Sequence, residues 1–320
     1  MKSPIPIIDM GPLFNGPTSG NKSAQVAAEI RQACENVGFF YIRNHKLSDN
    51  LRDQLFLQTR RFYDLPVDRK MEAYIGKSLQ YRGYLPLGGE VTKERRDWHE
   101  AFDIGVNLRS DHPDVMRKKP LQGPNIWPTD VPELKATLSL AWDALFTTGC
   151  AVVRGLALSL NLDKDFFMPY IGKQPLCVLR LSHYPCFYGE EENVGDGIGE
   201  HIDYGFVTIL TQDETGGLEV KSSDGTWISA PHIPGTCLVN IGHMVQRWTN
   251  DTYRATRHRV KIPVKKSRYS MPFFFDPAYE TVVTPLDNCC SPENPSRYEP
   301  FHFGPYIANA FARSYAEHYG

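Results

Sequence analysis

Two histidines and one aspartate in the second half of the chain have the clearest capacity for chemistry. His201 and Asp203 lie two residues apart in GIGEHIDYGFVTIL, and His258 follows in NDTYRATRHRV. Side chains two apart in an extended segment point to the same side, so His201 and Asp203 can bind one ion together. Two imidazoles and a carboxylate occupy one face of an octahedral Fe(II) and leave the other face open for a cosubstrate and O2. We therefore predict an Fe(II) site formed by these three residues.

A second polar pair follows the third of these residues by ten positions. Arg268 and Ser270 are again spaced so that both side chains lie on one face of a strand. An arginine fork beside a hydroxyl is suited to binding a carboxylate. We interpret this pair as a candidate anion site close to the predicted metal.

Composition limits the classes of partner and compartment. The 320 residues carry 35 basic and 37 acidic side chains, for a net charge of −2, which favours neither nucleic acid nor an anionic membrane. We find no run of the roughly 18 apolar residues that a membrane-spanning helix needs, and no signal peptide. Seven scattered cysteines without a C-x-x-C pair argue against a zinc site or disulfides. We expect a cytoplasmic monomer with reduced thiols.

The order of sequence patterns predicts an α+β fold with a mainly β core. Helical spacing covers 24–37, with Gly38 as C-cap, then 49–62 and 132–160, whereas 39–44 reads as a strand. The stretch 75–130 shows little periodicity. From 175 onward, seven short apolar runs separated by turn residues favour a double-stranded β-helix, or jelly roll, and 297–317 returns to helical character. We divide the chain into segments 1–130, 131–172, 173–285 and 286–320, packed as one unit.

The chain resembles the isopenicillin-N-synthase-like branch of the 2-oxoglutarate/Fe(II)-dependent dioxygenases. The resemblance runs from about residue 4 to about residue 312 and is carried by ACENVGFFYIRNHKL, LSHYP, the H-x-D segment, VNIGHM, RWTND and RYSMPFFFDP in family order. It implies that the three residues of the predicted metal site are iron ligands. It also implies that Arg268 and Ser270 bind the distal carboxylate of 2-oxoglutarate, with Tyr184 helping to hold this cosubstrate.

The resemblance implies an enzyme that hydroxylates a small-molecule metabolite, or desaturates or cyclises it, with release of succinate and CO2, in a role typical of secondary metabolism. One alternative is an iron-dependent oxidase of the same fold that does not use 2-oxoglutarate; another is a non-catalytic metal-binding homologue. Two positions depart from the family pattern, because members often carry Asp at His243 and Ser or Val at Arg257.

Strand alternation extends the predictions to the substrate. If Tyr184 faces the cosubstrate, Ser182 and Arg180 share its side, and Phe274 shares the side of Arg268. We predict that Arg180 contacts a substrate carboxylate or similar acceptor, with a protein acid as the alternative partner, because a buried arginine is costly unless paired. Phe274 is predicted to line the pocket, with ordinary core packing as the alternative, and Phe206 is a further candidate for the wall.

Overall fold

The computed structural model describes residues 5–14, 20–93, 95–187, 196–263 and 265–315. Short helices connect three long ones and a C-terminal helix. The helices within these ranges are α1 (Gly11–Phe14), α2 (Gly20–Asn36), α3 (Asp49–Tyr63), α4 (Val67–Lys70), α5 (Pro113–Met116), α6 (Pro132–Ser159), α7 (Met168–Ile171), α8 (His243–Trp248) and α9 (Phe303–Ser314).

The strands form two larger sheets and two small two-stranded ones. They are β1 (Ile7–Asp9), β2 (Phe39–Arg43), β3 (Gly83–Leu85), β4 (Val91–Thr92), β5 (Arg95–Arg96), β6 (Glu100–Gly105), β7 (Val178–Tyr184), β8 (Ile198–His201), β9 (Val207–Gln212), β10 (Leu218–Lys221), β11 (Trp227–Ser229), β12 (Cys237–Ile241), β13 (His258–Val260), β14 (Arg268–Phe275), β15 (Val282–Val283) and β16 (Phe301–His302). The large sheet has the order β1-β2-β12-β9-β14-β7-β6-β3, and the second sheet has the order β11-β10-β13-β8.

Alternation along the strands of the large sheet separates two apolar cores. On β2, Phe40 and Ile42 point toward the helices and join the main core, whereas Phe39 and Tyr41 point between the two sheets. The inner core also contains Leu218 and Val260 from the second sheet. The two sheets therefore enclose a common interior, which confirms the predicted jelly roll within an α+β fold.

Helix α6 is the scaffold on the outer face of the large sheet and runs without interruption, close to the predicted bounds 132–160. A Cβ at Gly149 would lie 2.3 Å from a ring carbon of Phe275, so the glycine allows the helix to approach β14 closely. Contrary to the expectation from sequence, α6 is long and apolar enough to span a membrane, with a window of mean hydropathy 1.4. Half of that window (50%) is buried inside the fold, as is typical of a core helix.

The helix end predicted at Gly38 from the backbone freedom of glycine is confirmed. Gly38 has φ +71° and its N–H donates to Ala33 O at 2.8 Å, so it ends α2 as the C-cap pattern predicts. The C-terminal helical segment, predicted over 297–317, is shorter and begins at Phe303. The division into four segments stays a prediction.

The stretch 75–130, which shows little periodicity in the sequence, contains four strands among its described residues. Strand β6 is buried throughout and pairs with β7, so it extends the large sheet. The sequence does not reveal this strand, because a buried strand is recognised by an apolar run and charged residues interrupt this one. The charged residues are Glu100 and Asp103, which are buried as partners of basic side chains.

Candidate active site

The three predicted metal ligands come from the second sheet and the bend that follows it. His201 ends β8 and pairs directly with His258, which begins β13, while Asp203 lies two residues beyond His201. Asp203 Oδ1 is 3.5 Å from Nε2 of each histidine. The ligand atoms of all three lie within 4.8 Å of one another. One ion between them would contact both imidazoles and the carboxylate.

Hydrogen bonds on the far side of each ligand orient it toward this point. Nδ1 of His201 contacts Gly199 O at 2.8 Å and Nδ1 of His258 contacts Thr256 O at 3.1 Å. A carbonyl can only accept, so each Nδ1 carries the proton and each Nε2 has a lone pair that could bind a metal. The available donors are thus two imidazole nitrogens and one carboxylate oxygen, a set that fits Fe(II).

The aspartate is held in its ionised form by the same geometry. Burial opposes ionisation, but the neighbouring His258 and His201 outweigh it and hold the pKa of Asp203 well below its usual range. Its second oxygen, Oδ2, accepts from Thr208 Oγ1 at 2.5 Å and from Asn240 Nδ2 at 2.8 Å. Oδ1 is left for the metal, because both outer donors act on Oδ2.

The bend after Asp203 is fastened to two neighbouring segments. His243 N donates to Asp203 O at 2.8 Å and Gly242 N donates to Phe206 O at 2.9 Å. Phe206 N donates to Asp276 Oδ1 at 2.7 Å. A Cβ on Gly205 would lie only 2.0 Å from that oxygen, so glycine is required for this contact. The unusual His243 thus acts here through its backbone, while its ring contacts Tyr306.

Arg268, Ser270 and Tyr184 lie together on the interior faces of β14 and β7. Arg268 pairs across the strands with Tyr184, and Ser270 pairs with Ser182. Arg268 is 1% exposed; its Nη1 donates to Ser270 Oγ at 2.8 Å and its Nη2 to Gln212 Oε1 at 3.1 Å.

No carboxylate lies within 4.0 Å of this guanidinium in the described part of the chain, and its Nε has no hydrogen-bond partner there. A buried cation without an anion is costly. The residues therefore fit the distal carboxylate of 2-oxoglutarate, which would supply the missing charge.

One cavity of about 560 Å³ connects the metal ligands, the Arg268 pocket and the predicted substrate residues. Arg180 lines it but is not left solvated: Nε and Nη2 donate to the two oxygens of Asp103, each at 2.9 Å, and Nη1 donates to Glu90 Oε2 at 2.9 Å. The alternative partner predicted from the sequence, a protein acid, is present, because Asp103 and Glu90 both pair with this arginine. A contact between Arg180 and a substrate acceptor stays a prediction. Asp103 faces Arg180 across the β6–β7 pairing.

The other predicted substrate residues divide between cavity and core. Phe274 is half-buried and lines the cavity, as does Ser182, whose Oγ has no hydrogen-bond partner among the described residues. Phe206 is 1% exposed and packs against Phe167 and Trp248 in the main core, so its prediction as a wall residue is wrong. It lies in the bend before β9, where strand alternation does not apply.

Several cavity residues escaped the sequence analysis. Glu90 precedes the hairpin of β4 and β5, and the hairpin itself contributes Val91, Thr92 and Lys93. On the other side, α9 contributes Ile307, Ala310 and Phe311, followed by Tyr315. No motif marks these segments, although their positions outside the jelly roll make them walls around a site built by the strands.

Arg257, the second departure from the family pattern, lies at the rim of the cavity with Nε 3.6 Å from Glu200 Oε1.

Comparison with known proteins agrees with this geometry. Residues 5–130 match the family described as non-haem dioxygenase in morphine synthesis N-terminal, and residues 175–277 match the 2OG-Fe(II) oxygenase superfamily. A 2-oxoglutarate-Fe(II) type oxidoreductase of Emericella nidulans is 33% identical over 97% of this chain and 90% of its own length. A homoarginine-6-hydroxylase of Oryza sativa subsp. japonica is 34% identical over 89% of both chains.

Among solved structures, a full-length Neurospora crassa protein in complex with alpha-KG and thymine superposes with a TM-score of 0.83, at 29% identity over 97% of each chain. The chain therefore belongs to the 2-oxoglutarate- and Fe(II)-dependent oxygenases of the isopenicillin-N-synthase-like family. It is an oxidoreductase that uses Fe(II), 2-oxoglutarate and O2, and the predicted family, enzyme class and cofactors are confirmed.

Proposed function

We propose that His201, Asp203 and His258 hold the iron, that Arg268, Ser270 and Tyr184 hold 2-oxoglutarate, and that a small molecule is hydroxylated in the adjoining cavity. The observation that carries this assignment is the buried Arg268, which has no anionic partner among the described residues and lines the same cavity as the three proposed ligands. A dicarboxylate bound there by one end would reach toward the metal with the other.

Iron with 2-oxoglutarate and O2 supplies the oxidising power: one oxygen atom enters the product and the other enters succinate, with loss of CO2. The protein residues supply position. The Nδ1 hydrogen bonds fix both imidazoles, and Thr208 and Asn240 fix the carboxylate. Ser270 orients the Arg268 fork toward the interior. The β4–β5 hairpin and α9 cover the cavity and limit the access of water.

A small polar substrate agrees with the size of the cavity and with the relatives. The rice relative is a homoarginine hydroxylase, and the Neurospora structure contains thymine. These relatives thus differ in the small molecules they act on or bind. The substrate specificity of this chain should therefore depend on the residues around Arg180 and Glu90 rather than on the metal site.

The test is a set of single substitutions, His201→Ala, Asp203→Ala and His258→Ala, combined with Fe(II) titration and an assay of succinate formation. We expect each variant to lose iron binding and turnover while staying folded, because the site has three ligands and each contributes one bond. Full activity of any variant at limiting Fe(II) removes that residue from the ligand set.

The same assay distinguishes the alternative of an oxidase that does not need 2-oxoglutarate. We expect O2 consumption to require 2-oxoglutarate and to match succinate release. O2 consumption that continues in its absence supports the oxidase, and no succinate with any substrate supports a non-catalytic homologue.

The cytoplasmic location, the monomeric state and a role in secondary metabolism stay predictions. All seven cysteines are free, which supports a reducing compartment. Cell fractionation and light scattering test the first two, and metabolite profiling of a deletion strain tests the third.

A further inference from the structure

Arg180 is the centre of a charged group at the substrate end of the cavity. It lies on β7 two residues before Ser182, the residue that pairs with Ser270. Arg180 and Ser182 are therefore roughly 7 Å apart along the strand. Asp103 binds it through a two-pronged contact, and Tyr315 from the end of α9 accepts a further bond from Nη2. The guanidinium is therefore fixed in one orientation before any substrate enters.

The hydrogen bonds of this group are not all used. An arginine has five N–H donors. Four of them bind Asp103 twice, Glu90 once and Tyr315 once, which leaves one donor on Nη1 without an acceptor among the described residues.

Glu90 has an unused acceptor oxygen among the described residues, which complements the unused donor of Arg180. Oε2 accepts from Arg180 Nη1 and lies 3.3 Å from His99 Nε2, whereas no donor contacts Oε1 in the described part of the chain. Burial raises the pKa of Glu90, but Arg180 and His99 outweigh it and lower the pKa to about 2. The carboxylate is thus an acceptor only.

An adjacent donor and acceptor of opposite charge select against charged ligands. A substrate carboxylate that approached Arg180 would meet Glu90 beside it, and Asp103 already balances the charge of the guanidinium, so the group repels an anion. A ligand at Glu90 also meets the unused Nη1 donor of Arg180 and binds best if it offers that donor an acceptor, which a simple cation does not. The best complement is a neutral group that presents an acceptor and a donor on neighbouring atoms.

We propose that Arg180 and Glu90 together bind the cis-amide edge of a planar, neutral nitrogen heterocycle, the ring C=O accepting from Arg180 Nη1 and the ring N–H donating to Glu90 Oε1. Phe274 lines the cavity beside this pair, with its ring centre 6.0 Å from the Arg180 guanidinium carbon, and gives the heterocycle an aromatic face to pack on. This specificity role rests on the proposed function, because it assumes that iron and 2-oxoglutarate occupy the neighbouring part of the same cavity.

The experiment measures binding of four probes to the protein loaded with Fe(II) and 2-oxoglutarate under nitrogen, by isothermal titration calorimetry. Uracil and hypoxanthine present a cis-amide edge, 1,3-dimethyluracil lacks the N–H donors, and methylguanidinium carries a cation. We expect uracil or hypoxanthine to bind, 1,3-dimethyluracil to bind about tenfold or more weakly than uracil where uracil binds, and methylguanidinium not to bind.

Substitutions at Glu90 test the role of its two carboxylate oxygens. Glu90→Ala removes both acceptors and should weaken binding of the heterocycle about tenfold or more. Glu90→Gln keeps one acceptor oxygen, which cannot accept from both Arg180 Nη1 and the ring N–H, so this variant should weaken binding as well. Unchanged affinity in either variant, or tighter binding of methylguanidinium than of both heterocycles, overturns the proposal. Arg180 keeps its two-pronged contact with Asp103 in both variants, so we expect them to fold.

Glu280→Ala is the matched control, since Glu280 is a surface glutamate outside the cavity. Binding of Fe(II) and 2-oxoglutarate is measured separately in every variant and should not change. If the wild type binds neither of them, the proposed function fails. If it binds both but neither heterocycle, or if Glu90→Ala and Glu280→Ala bind the heterocycle equally well, only the present inference fails.

Discussion

The guanidinium carbon of Arg268 lies 4.8 Å from the centre of the Tyr184 ring, directly across the paired strands β14 and β7. The aromatic face covers one side of the cation, and Ser270 and Gln212 bind its edge. Because none of these neighbours carries a negative charge, the stacked arginine is fixed in place and still requires an anion.

Replacing Arg268 should therefore affect the cosubstrate and not the metal. Arg268→Lys keeps the charge but loses the planar fork and its stacking, and we expect about tenfold weaker 2-oxoglutarate binding, with a larger loss in Arg268→Gln. Titration of 2-oxoglutarate against succinate release measures the effect, with Fe(II) affinity and the exposed Arg109→Lys variant as controls. An unchanged requirement for 2-oxoglutarate in Arg268→Gln would place the cosubstrate elsewhere.

The outer hydrogen bonds to Asp203 should determine iron affinity. Thr208→Val keeps the shape of the side chain but removes the hydroxyl that binds Asp203 Oδ2, and we expect Fe(II) to bind about tenfold more weakly. Thr211→Val on the opposite face of β9 is the matched control, because that hydroxyl contacts Cys237 and not the site. Equal iron affinity in the two variants would contradict the assigned role of Thr208.

Asp276 should make the stability of the metal-free protein depend on pH. Burial raises its pKa from 3.8 to about 7, against the hydrogen bond from Phe206 N–H and with a contribution from the charge of Asp203. The folded state thus holds a proton that the unfolded state has lost between about pH 4 and pH 7, so the free energy of unfolding decreases as the pH rises through this window.

Asp276→Asn keeps an acceptor for Phe206 N–H and cannot ionise. Relative to wild type, it should gain on the order of 3 kcal/mol between pH 4 and pH 8. Urea unfolding of both metal-free proteins at several pH values measures this difference. Parallel stability curves would show that the carboxyl of Asp276 titrates normally.

Gly149 should be intolerant of alanine although it lies within a helix. In an open helix the substitution would favour folding by about 1 kcal/mol. Here the new Cβ would lie 2.3 Å from Phe275, and the clash should outweigh that gain and destabilise the protein by about 1–3 kcal/mol. Thermal unfolding measures the difference, with the exposed Ser139→Ala in the same helix as a control. A variant more stable than wild type would show that β14 can move away.

Strand periodicity explains how much of the site could be predicted from the sequence. Arg268, Ser270 and Phe274 lie on the interior face of one strand, and Arg180, Ser182 and Tyr184 on that of its neighbour, as the two-residue spacing predicts. The fold class could be predicted for the same reason, because turns and alternating runs are local signals.

The sequence is least informative where function depends on contacts between distant segments. The two acids that neutralise Arg180 lie 77 and 90 residues away from it, and no local pattern links Asp103 or Glu90 to β7. The direction of the Phe206 side chain could not be predicted, because a bend interrupts the strand alternation at this position. Tyr315 follows α9, whose place over the cavity depends on the packing of the whole chain.

The origin of the cavity walls has an evolutionary consequence. The proposed iron ligands and cosubstrate residues come from the strands of the jelly roll and the bend at Asp203. Glu90 and Tyr315 come from a loop before a two-stranded hairpin and from the end of α9. Sequence changes in those two peripheral segments can remodel which molecule is accepted without disturbing the oxidising centre. The substrate range can thus change through one set of segments while another set keeps the same chemistry.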